Sequence, residues 1–231
     1  MNINYLLAAV IAILVISAVN GYRKGFLRIA ISLFNIILVI CIVTVISPYV
    51  SNYLTNHTKV YDHLKYKVVE VFADHNAQYD NTIEENQIKT IESYDMPEII
   101  TSCLINNNTS EVYHELMVTL FEEYVAGYLA KMIINAISFI GCFLMLWVFI
   151  WFILFSADII ARIPIIKGFN KLLGLFAGLT KGLLIVWVGF FIAIIFFGNT
   201  IGSKMITSIN SSVILTILFN HNLLVRFITG L

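Results

Sequence analysis

Charged residues are scarce in this chain of 231 residues, and so are proline, glycine and cysteine. Only 12% of the residues are charged, against about a quarter in soluble domains, whereas 59% are hydrophobic. Three prolines and twelve glycines exclude a collagen-like or low-complexity chain, and three scattered cysteines exclude a disulfide framework. The mean hydropathy is +0.88. These values indicate an integral membrane protein rather than a soluble domain.

Four apolar stretches are long enough to cross a bilayer. A helix needs about 20 apolar residues to span a hydrocarbon core of ~30 Å, and residues 3–19, 26–46, 132–155 and 172–197 approach or exceed that length. The basic residues follow the first stretch instead of preceding it, so we expect a retained anchor rather than a cleaved signal peptide. The sequence therefore predicts an all-α, polytopic membrane protein with four transmembrane helices.

The distribution of charge orients these four spans. The turn at residues 21–28 carries three basic residues and no acidic one, and residues 156–181 carry four basic residues against Asp158 alone. Residues 48–130 carry four lysines against thirteen acidic residues, which gives a local net charge of −9. Because short cytoplasmic loops are enriched in lysine and arginine, we expect both basic turns in the cytoplasm and both termini outside the cytoplasmic membrane.

On this topology the chain divides into four segments. Residues 1–47 form transmembrane helices one and two with a basic cytoplasmic turn, and residues 48–130 form an acidic extracytoplasmic helical module inserted between spans two and three. Residues 131–199 form the last two spans with a basic cytoplasmic loop. Residues 200–231 interleave apolar and polar side chains, so we expect an interfacial or partly re-entrant tail rather than a fifth span.

Helical spacing of apolar residues predicts short helices inside the acidic module. Thr82 and Glu85 have the spacing of a capping box, and Thr109 or Ser110 can cap a later helix. We expect that later helix to continue straight into the third span as one rod, with any break at Gly127. Because about eighty residues make a marginal core, the module should pack on this long helix or on a partner.

A stripe of glycine lies on the fourth span. Gly174, Gly178 and Gly182 follow at intervals of four residues, and Gly189 returns seven residues later. Small residues at this spacing let two helix backbones approach closely, which is a main source of helix association in lipid. Lys181 lies about 20° from Gly174 on the helical projection, so we expect it to face the packed side.

Polar residues inside the spans leave two interpretations open. A charge such as Lys181 within a membrane marks an ion or proton site by default, with Asp158 as the candidate partner. Alternatively, Lys181 lies near the cytoplasmic end and its long side chain reaches the headgroups. Polar stripes on spans two and three line a narrow path or form interhelical hydrogen bonds. Those stripes comprise Ser32, Asn35, Asn135, Ser138 and Cys142.

Signatures of catalysis are absent from the sequence. No metal-binding spacing accompanies the external histidines, and no nucleotide-binding, serine-hydrolase or intramembrane-protease motif occurs. The acidic module argues against a nucleic-acid ligand. We therefore expect no enzyme, no metal and no cofactor. The expected partners are the lipid bilayer together with either further copies of the chain or envelope and export proteins. The histidines concerned are His57, His63, His75 and His114.

Two stretches beside the spans carry a family resemblance. Residues 20–26 read Asn-Gly-Tyr-Arg-Lys-Gly-Phe, and residues 163–174 combine a proline, an asparagine–lysine pair and the start of the glycine stripe. With them the chain resembles the colicin V production (CvpA) family of bacterial inner-membrane proteins. The likeness covers the spans and their cytoplasmic turns, not the acidic module. The family-motif and helix-packing positions are Gly21, Arg23, Gly25, Pro164, Gly168, Asn170, Gly174, Gly178 and Gly182.

The resemblance implies a multi-pass protein of the bacterial cytoplasmic membrane that is associated with toxin (colicin V) production or export and with envelope maintenance. Two hypotheses follow for its activity. The first is a non-enzymatic, four-helix scaffold or accessory factor that packs through the glycine stripe. The alternative is a small oligomeric channel or transporter subunit, whose path would be lined by Lys181, Asn35, Asn135 and Ser138.

Overall fold

All secondary structure that this computed structural model describes is α-helical, which confirms the predicted fold class. The described residues are 4–76, 84–94, 96–156, 169–197 and 199–229. Twelve helices lie within these ranges: α1 (Tyr5–Lys24), α2 (Phe26–His57), α3 (Val60–Asn76), α4 (Glu84–Ser93), α5 (Glu98–Asn106), α6 (Ser110–Leu116), α7 (Phe121–Ser156), α8 (Phe169–Gly189), α9 (Phe191–Ile195), α10 (Thr200–Asn210), α11 (Val213–Asn220) and α12 (Leu223–Thr229).

Four stretches of helix are long and apolar enough to cross a membrane. They are α1, α2, the Phe121–Phe152 part of α7, and Asn170–Ile195, which joins α8 to α9. The predicted four spans and the shorter helices between spans two and three are confirmed. α2 has 32 residues and α7 has 36. At 1.5 Å per residue they measure about 48 Å and about 54 Å, so both are longer than a ~30 Å hydrocarbon core.

The chain packs as two compact units. One comprises Met1–Pro48 and Ser138–Gly189, and the other comprises Tyr49–Ile137 and Phe190–Leu231. The division falls inside α2 and inside α7, because each of these long helices contributes one part to each unit. The two units are defined by which residues pack together, whereas the four segments predicted from the sequence are defined by their position relative to the membrane. The predicted segment boundaries therefore stay a prediction.

α1 and α8 form the most extensive helix pair of the first unit. Asn4 caps the start of α1, where its side chain accepts a hydrogen bond from the helix backbone at 3.0 Å. Arg23 and Lys24 lie in the last turn, where positive charge is favourable at the negative end of the helix dipole. The buried residues of α1 are Val10 and Gly21. With so few buried side chains, the pair depends on close approach of the two backbones.

The second unit has a core around Tyr124 at the start of α7. The side chain of Tyr124 is fully buried, and its hydroxyl donates a hydrogen bond to the carbonyl of Leu104 on α5 at 2.6 Å. Cys103 and Leu104 are fully buried as well. The ring of Tyr113 on α6 stacks on Tyr124 with 4.9 Å between centroids. α5 and α6 therefore pack on α7. The sequence predicted packing of this module on the long helix or on a partner.

α6 and α7 are separate helices, so the predicted continuous rod is wrong. Thr109 caps α6 by accepting a hydrogen bond from the helix backbone at 3.5 Å. The helix then ends because Met117 adopts a left-handed conformation with a φ of +54°. Gly127, the predicted break, lies inside α7, where an added Cβ would approach the Tyr61 hydroxyl to 2.7 Å. The small size of Gly127 makes room for Tyr61 and does not break the helix.

The C-terminal tail forms three short helices. α10 and α11 meet at a bend of 106°, which is the geometry of a broken span or a re-entrant segment. Asn199 and Ser212 cap the starts of these two helices. Asn220 anchors the tail to α5, because its amide nitrogen donates to Glu98 Oε2 at 3.0 Å and its amide oxygen accepts from the Ile99 amide at 3.4 Å. The interfacial or re-entrant placement of this tail stays a prediction.

Candidate functional site at the α1–α8 helix pair

Glycines on α1 and α8 bring the two helix backbones into direct contact. A Cβ built on Gly21 would collide with the carbonyl oxygen of Gly174 and would lie 2.9 Å from the Cα of Gly178. A Cβ built on Gly178 would lie 3.0 Å from the Cα of Gly21. Because non-bonded carbon atoms prefer separations of about 3.5–4.0 Å, a larger residue at any of these positions would force the helices apart.

This contact continues along both helices as a seam within one chain. Gly182 lies against Ser17, whose Cβ would be 2.9 Å from a Cβ on the glycine. Gly189 has no heavy atom within 4 Å of its Cβ position, so it does not take part. The glycine stripe on α8 is therefore covered by α1 of the same chain. We define the glycine seam as Ser17, Gly21, Gly174, Gly178 and Gly182.

The α1 side of the glycine seam has a sequence signal of its own. Ser17, Gly21 and Gly25 recur at intervals of four residues, which is the small-residue spacing that allows helices to pack closely. The family resemblance singles out Gly21 and Gly25, but Ser17 is missed without this spacing. Matching small-residue patterns on α1 and α8 are the signal that could have predicted the helix pair.

Gly25 and Asn170 form the turn at one end of the seam. Gly25 alone separates α1 from α2 and has a φ of +79°, a conformation that favours glycine. A Cβ on Gly25 would lie 2.5 Å from Asn170 Nδ2. Asn170 Oδ1 accepts a hydrogen bond from the Leu27 amide at 3.3 Å, so it supplies an acceptor for one of the unpaired amides at the start of α2. Asn170, on α8, thus caps a different helix.

Exposed basic residues surround this turn. The ammonium of Lys171 lies 5.7 Å from the centroid of the Tyr22 ring, within the range of a cation–π interaction. The family-motif residue Arg23 is exposed, and so are Lys24 and Arg28. The turn therefore presents positive charge next to the first turn of α8.

Lys181 links α8 to α2. Its side chain is half-buried, and its ammonium donates a hydrogen bond to the hydroxyl of Ser32 at 2.6 Å. The lysine of the fourth span and the polar stripe of the second span are thereby brought together. Asp158, the predicted partner of Lys181, lies outside the residues that the structure describes.

The matched segments of a protein-family model contain the whole of this site. The model for the colicin V production protein matches residues 8–77 and 110–221. The chain belongs to the colicin V production family. No curated protein and no solved structure matches it. The family-motif positions Pro164 and Gly168 fall within the matched segments, but they lie outside the described ranges.

The match to the colicin V production family reaches into the acidic module. It includes residues 48–77 and 110–130, so the expectation that the likeness excludes the module is wrong for these parts. Both span helices continue into the module, because α2 runs on to His57 and α7 already begins at Phe121. The matched parts also contain α3 and α6. Residues 78–109 are the part of the module that the family model does not match.

The other residues of the polar stripes on the second and third spans differ in burial and in hydrogen bonding. Ser51 on α2 donates a hydrogen bond to the amide oxygen of Asn135 on α7, so Asn135 joins two helices. The hydroxyl of Ser138 is buried and has no hydrogen-bond partner among the residues described. Asn35 and Cys142 are half-buried. Among these side chains, Asn135 forms an interhelical hydrogen bond, which is one of the two roles predicted for the polar stripes.

The histidines of residues 48–130 are not gathered into a metal-binding group in the described part of the chain. His57, His63 and His114 are exposed, and the ring of His57 stacks on Tyr53 with 4.9 Å between centroids. The side chain of His75 lies outside that part of the chain. Thr82 of the predicted capping box lies outside it too.

Helices α3 to α6 carry most of the exposed acidic side chains that the structure describes. Lys89 pairs with Glu85 at 2.6 Å, and this hydrogen bond lowers the pKa of the Glu85 carboxyl. Lys65 lies 3.8 Å from Glu123. An exposed pair such as Lys89–Glu85 contributes little to stability. The exposed acidic residues are Asp62, Glu70, Glu85, Glu92, Glu98, Glu111 and Glu115.

Proposed function

We propose that this member of the colicin V production family is a non-enzymatic membrane scaffold or accessory factor that supports toxin (colicin V) production or export and envelope maintenance. The observation that carries the proposal is the glycine seam, which joins the first and fourth spans by backbone contact. Asn170 adds the start of the second span to the same assembly. Three spans that are held together in this way form one packed assembly, as a scaffold requires.

The glycine seam favours a scaffold over a pore at this helix pair. The helix backbones approach so closely at Gly21 and Gly178 that even a methyl group would not fit. A water molecule or a solute needs at least that much space. Transport between α1 and α8 would therefore require the seam to open, whereas a scaffold requires it to stay closed.

We further propose that the acidic helices face the outside of the bacterial cytoplasmic membrane, with both termini on that side. The charge distribution supports this orientation, because the turn at residues 21–28 is basic and residues 48–130 have a net charge of −9. The exposed carboxylates would then contact the proposed partners. These are envelope or export proteins, or further copies of the chain.

Thiol labelling tests the orientation, but it needs an engineered cysteine. Cys103 is fully buried, so it would react slowly with a thiol reagent. Glu111→Cys and Arg28→Cys, both at exposed positions, serve as the outer reporter and its cytoplasmic control in a cysteine-free variant. An impermeant maleimide added to intact cells should label position 111 and leave position 28 unlabelled until lysis. The opposite pattern would invert the orientation.

A specific observation favours a second candidate function, a small oligomeric channel or transporter subunit. Lys181 places a half-buried ammonium group inside a candidate span, hydrogen-bonded to Ser32. Charged residues within spans commonly mark ion or proton pathways. The two candidates differ in what they require, because a scaffold depends on the glycine seam and a transporter depends on the charge of Lys181.

Two variants separate these candidates. Lys181→Met removes the charge but keeps an apolar side chain of similar length, whereas Gly178→Ile opens the glycine seam and keeps the lysine. A scaffold predicts that toxin release and envelope integrity survive Lys181→Met and fail with Gly178→Ile. If Lys181→Met abolishes both phenotypes while the protein is inserted at its normal level, the scaffold proposal is wrong and flux becomes the activity to assay.

A further inference from the structure

An apolar groove lies between α1 and α8, beside the glycine seam. Its volume is about 420 Å³, and its walls include Leu14, Val15, Val19, Tyr22, Leu175 and Leu179. The Tyr22 hydroxyl is the only polar side-chain group among these residues. Because the seam holds the two backbones in contact, the side chains that flank it stand apart and form the walls.

The groove is open along its length. Val15 is 54% exposed and Val19 is 49% exposed. Both belong to α1, and α1 and α8 are candidate membrane spans. In a span, exposed apolar side chains contact lipid acyl chains rather than water. The groove is therefore shaped to hold an apolar chain from the bilayer.

Positive charge lies at the Tyr22 end of the groove. The Lys171 ammonium is 5.7 Å from the centroid of the Tyr22 ring, and Tyr22 itself lines the groove. Arg23 and Lys24 follow Tyr22 on α1 and are exposed. An amphiphile whose anionic head meets Lys171 and whose apolar chain follows the groove would satisfy both features.

We propose that the groove binds one acyl chain of an anionic phospholipid, with the phosphate of its headgroup at Lys171 beside Tyr22. Charge complementarity selects this occupant. A soluble phosphate ion would use the cation but not the groove, and an apolar helix of a second copy would use the groove but not the cation. One basic residue near the membrane surface corresponds to roughly a five-fold preference for an anionic over a neutral lipid.

Native mass spectrometry of the purified full-length protein tests this site. The protein is mixed with equal amounts of phosphatidylglycerol and phosphatidylcholine that carry identical acyl chains. We expect the wild type to retain phosphatidylglycerol about five-fold more than phosphatidylcholine. Lys171→Gln should retain the two lipids equally. Arg28→Gln is the matched control, since Arg28 is an exposed basic residue of the same turn that does not line the groove.

A second pair of variants tests the groove itself. Val15→Trp fills the groove and should reduce retention of both lipids, whereas Met145→Trp adds the same ring on α7 at a position that is 78% exposed and should leave retention unchanged. Equal retention of the two lipids by the wild type would overturn the proposal. So would equal losses in Lys171→Gln and Arg28→Gln, or unchanged retention in Val15→Trp. Lys171 is exposed, so its replacement does not disturb a core.

Discussion

Replacing Gly178 by alanine is the smallest perturbation of the glycine seam. The new Cβ would collide with the carbonyl oxygen of Ser17 and would lie 3.0 Å from the Cα of Gly21. Ordinary carbon–carbon contacts are about 3.5–4.0 Å, so α1 and α8 must move apart by up to about 1 Å. Backbone atoms on both sides of the contact leave no flexible side chain to absorb the shift.

The expected cost of Gly178→Ala follows from two opposing effects. Overpacking costs about 1–3 kcal/mol, and the higher helix propensity of alanine returns about 1 kcal/mol. Gly141→Ala is the matched control inside α7, because no heavy atom lies within 4 Å of its Cβ position and the propensity gain alone remains. We therefore expect Gly178→Ala to be less stable than Gly141→Ala by about 2 kcal/mol.

Reversible unfolding in mixed detergent micelles measures this difference. Tryptophan fluorescence follows the transition, and the comparison uses the free energy of unfolding of each variant under identical micelle composition. A Gly178→Ala protein as stable as the Gly141→Ala protein would refute backbone contact at the seam. A lower stability confined to Gly178→Ala would support it.

Three further predictions use the described contacts. Asn170→Ala removes the acceptor for the Leu27 amide, so the free energy of unfolding should fall by about 1 kcal/mol; an unchanged value would exclude a capping role. Met117→Gly should raise stability by about 1 kcal/mol, because Met117 has a φ of +54°; a loss of stability would contradict this account. Burial, with a smaller effect of Glu122, raises the pKa of Tyr113 from 10.0 to about 12. The neutral phenol therefore favours the folded state, and this contribution should be complete below pH 10 and lost as the pH rises to about 12. Tyr113→Phe should reduce the slope of the pH dependence of unfolding in this range, and an unchanged slope would assign it to the other buried tyrosines.

The four spans could be predicted because a bilayer demands long uncharged helices. The run at residues 132–155 has no charged side chain, so hydropathy alone identifies it. The true start of α7 at Phe121 could not be found in the same way, because Glu122 and Glu123 occupy its first turn. Hydropathy finds the part of a helix that contacts lipid, not the whole helix.

One side of the functional site was predicted from the glycine stripe on α8, and the helix that covers it was not. The spacing of Gly174, Gly178 and Gly182 indicates a packing face, but spacing within one helix does not name the helix that covers it. The contact of Asn170 with Leu27 joins residues 143 positions apart, which no local pattern encodes. The break at Met117 was missed because methionine carries no turn signal.

Carboxylate-directed crosslinking with mass spectrometry in native membranes tests the scaffold proposal most directly. Glu111 and Glu115 are exposed on α6 and serve as attachment points. The proposal predicts a reproducible set of other envelope or export proteins crosslinked to these residues. A closed homo-oligomer joined through α8 of separate copies would contradict it, because the glycine seam would then be shared between chains instead of closed within one.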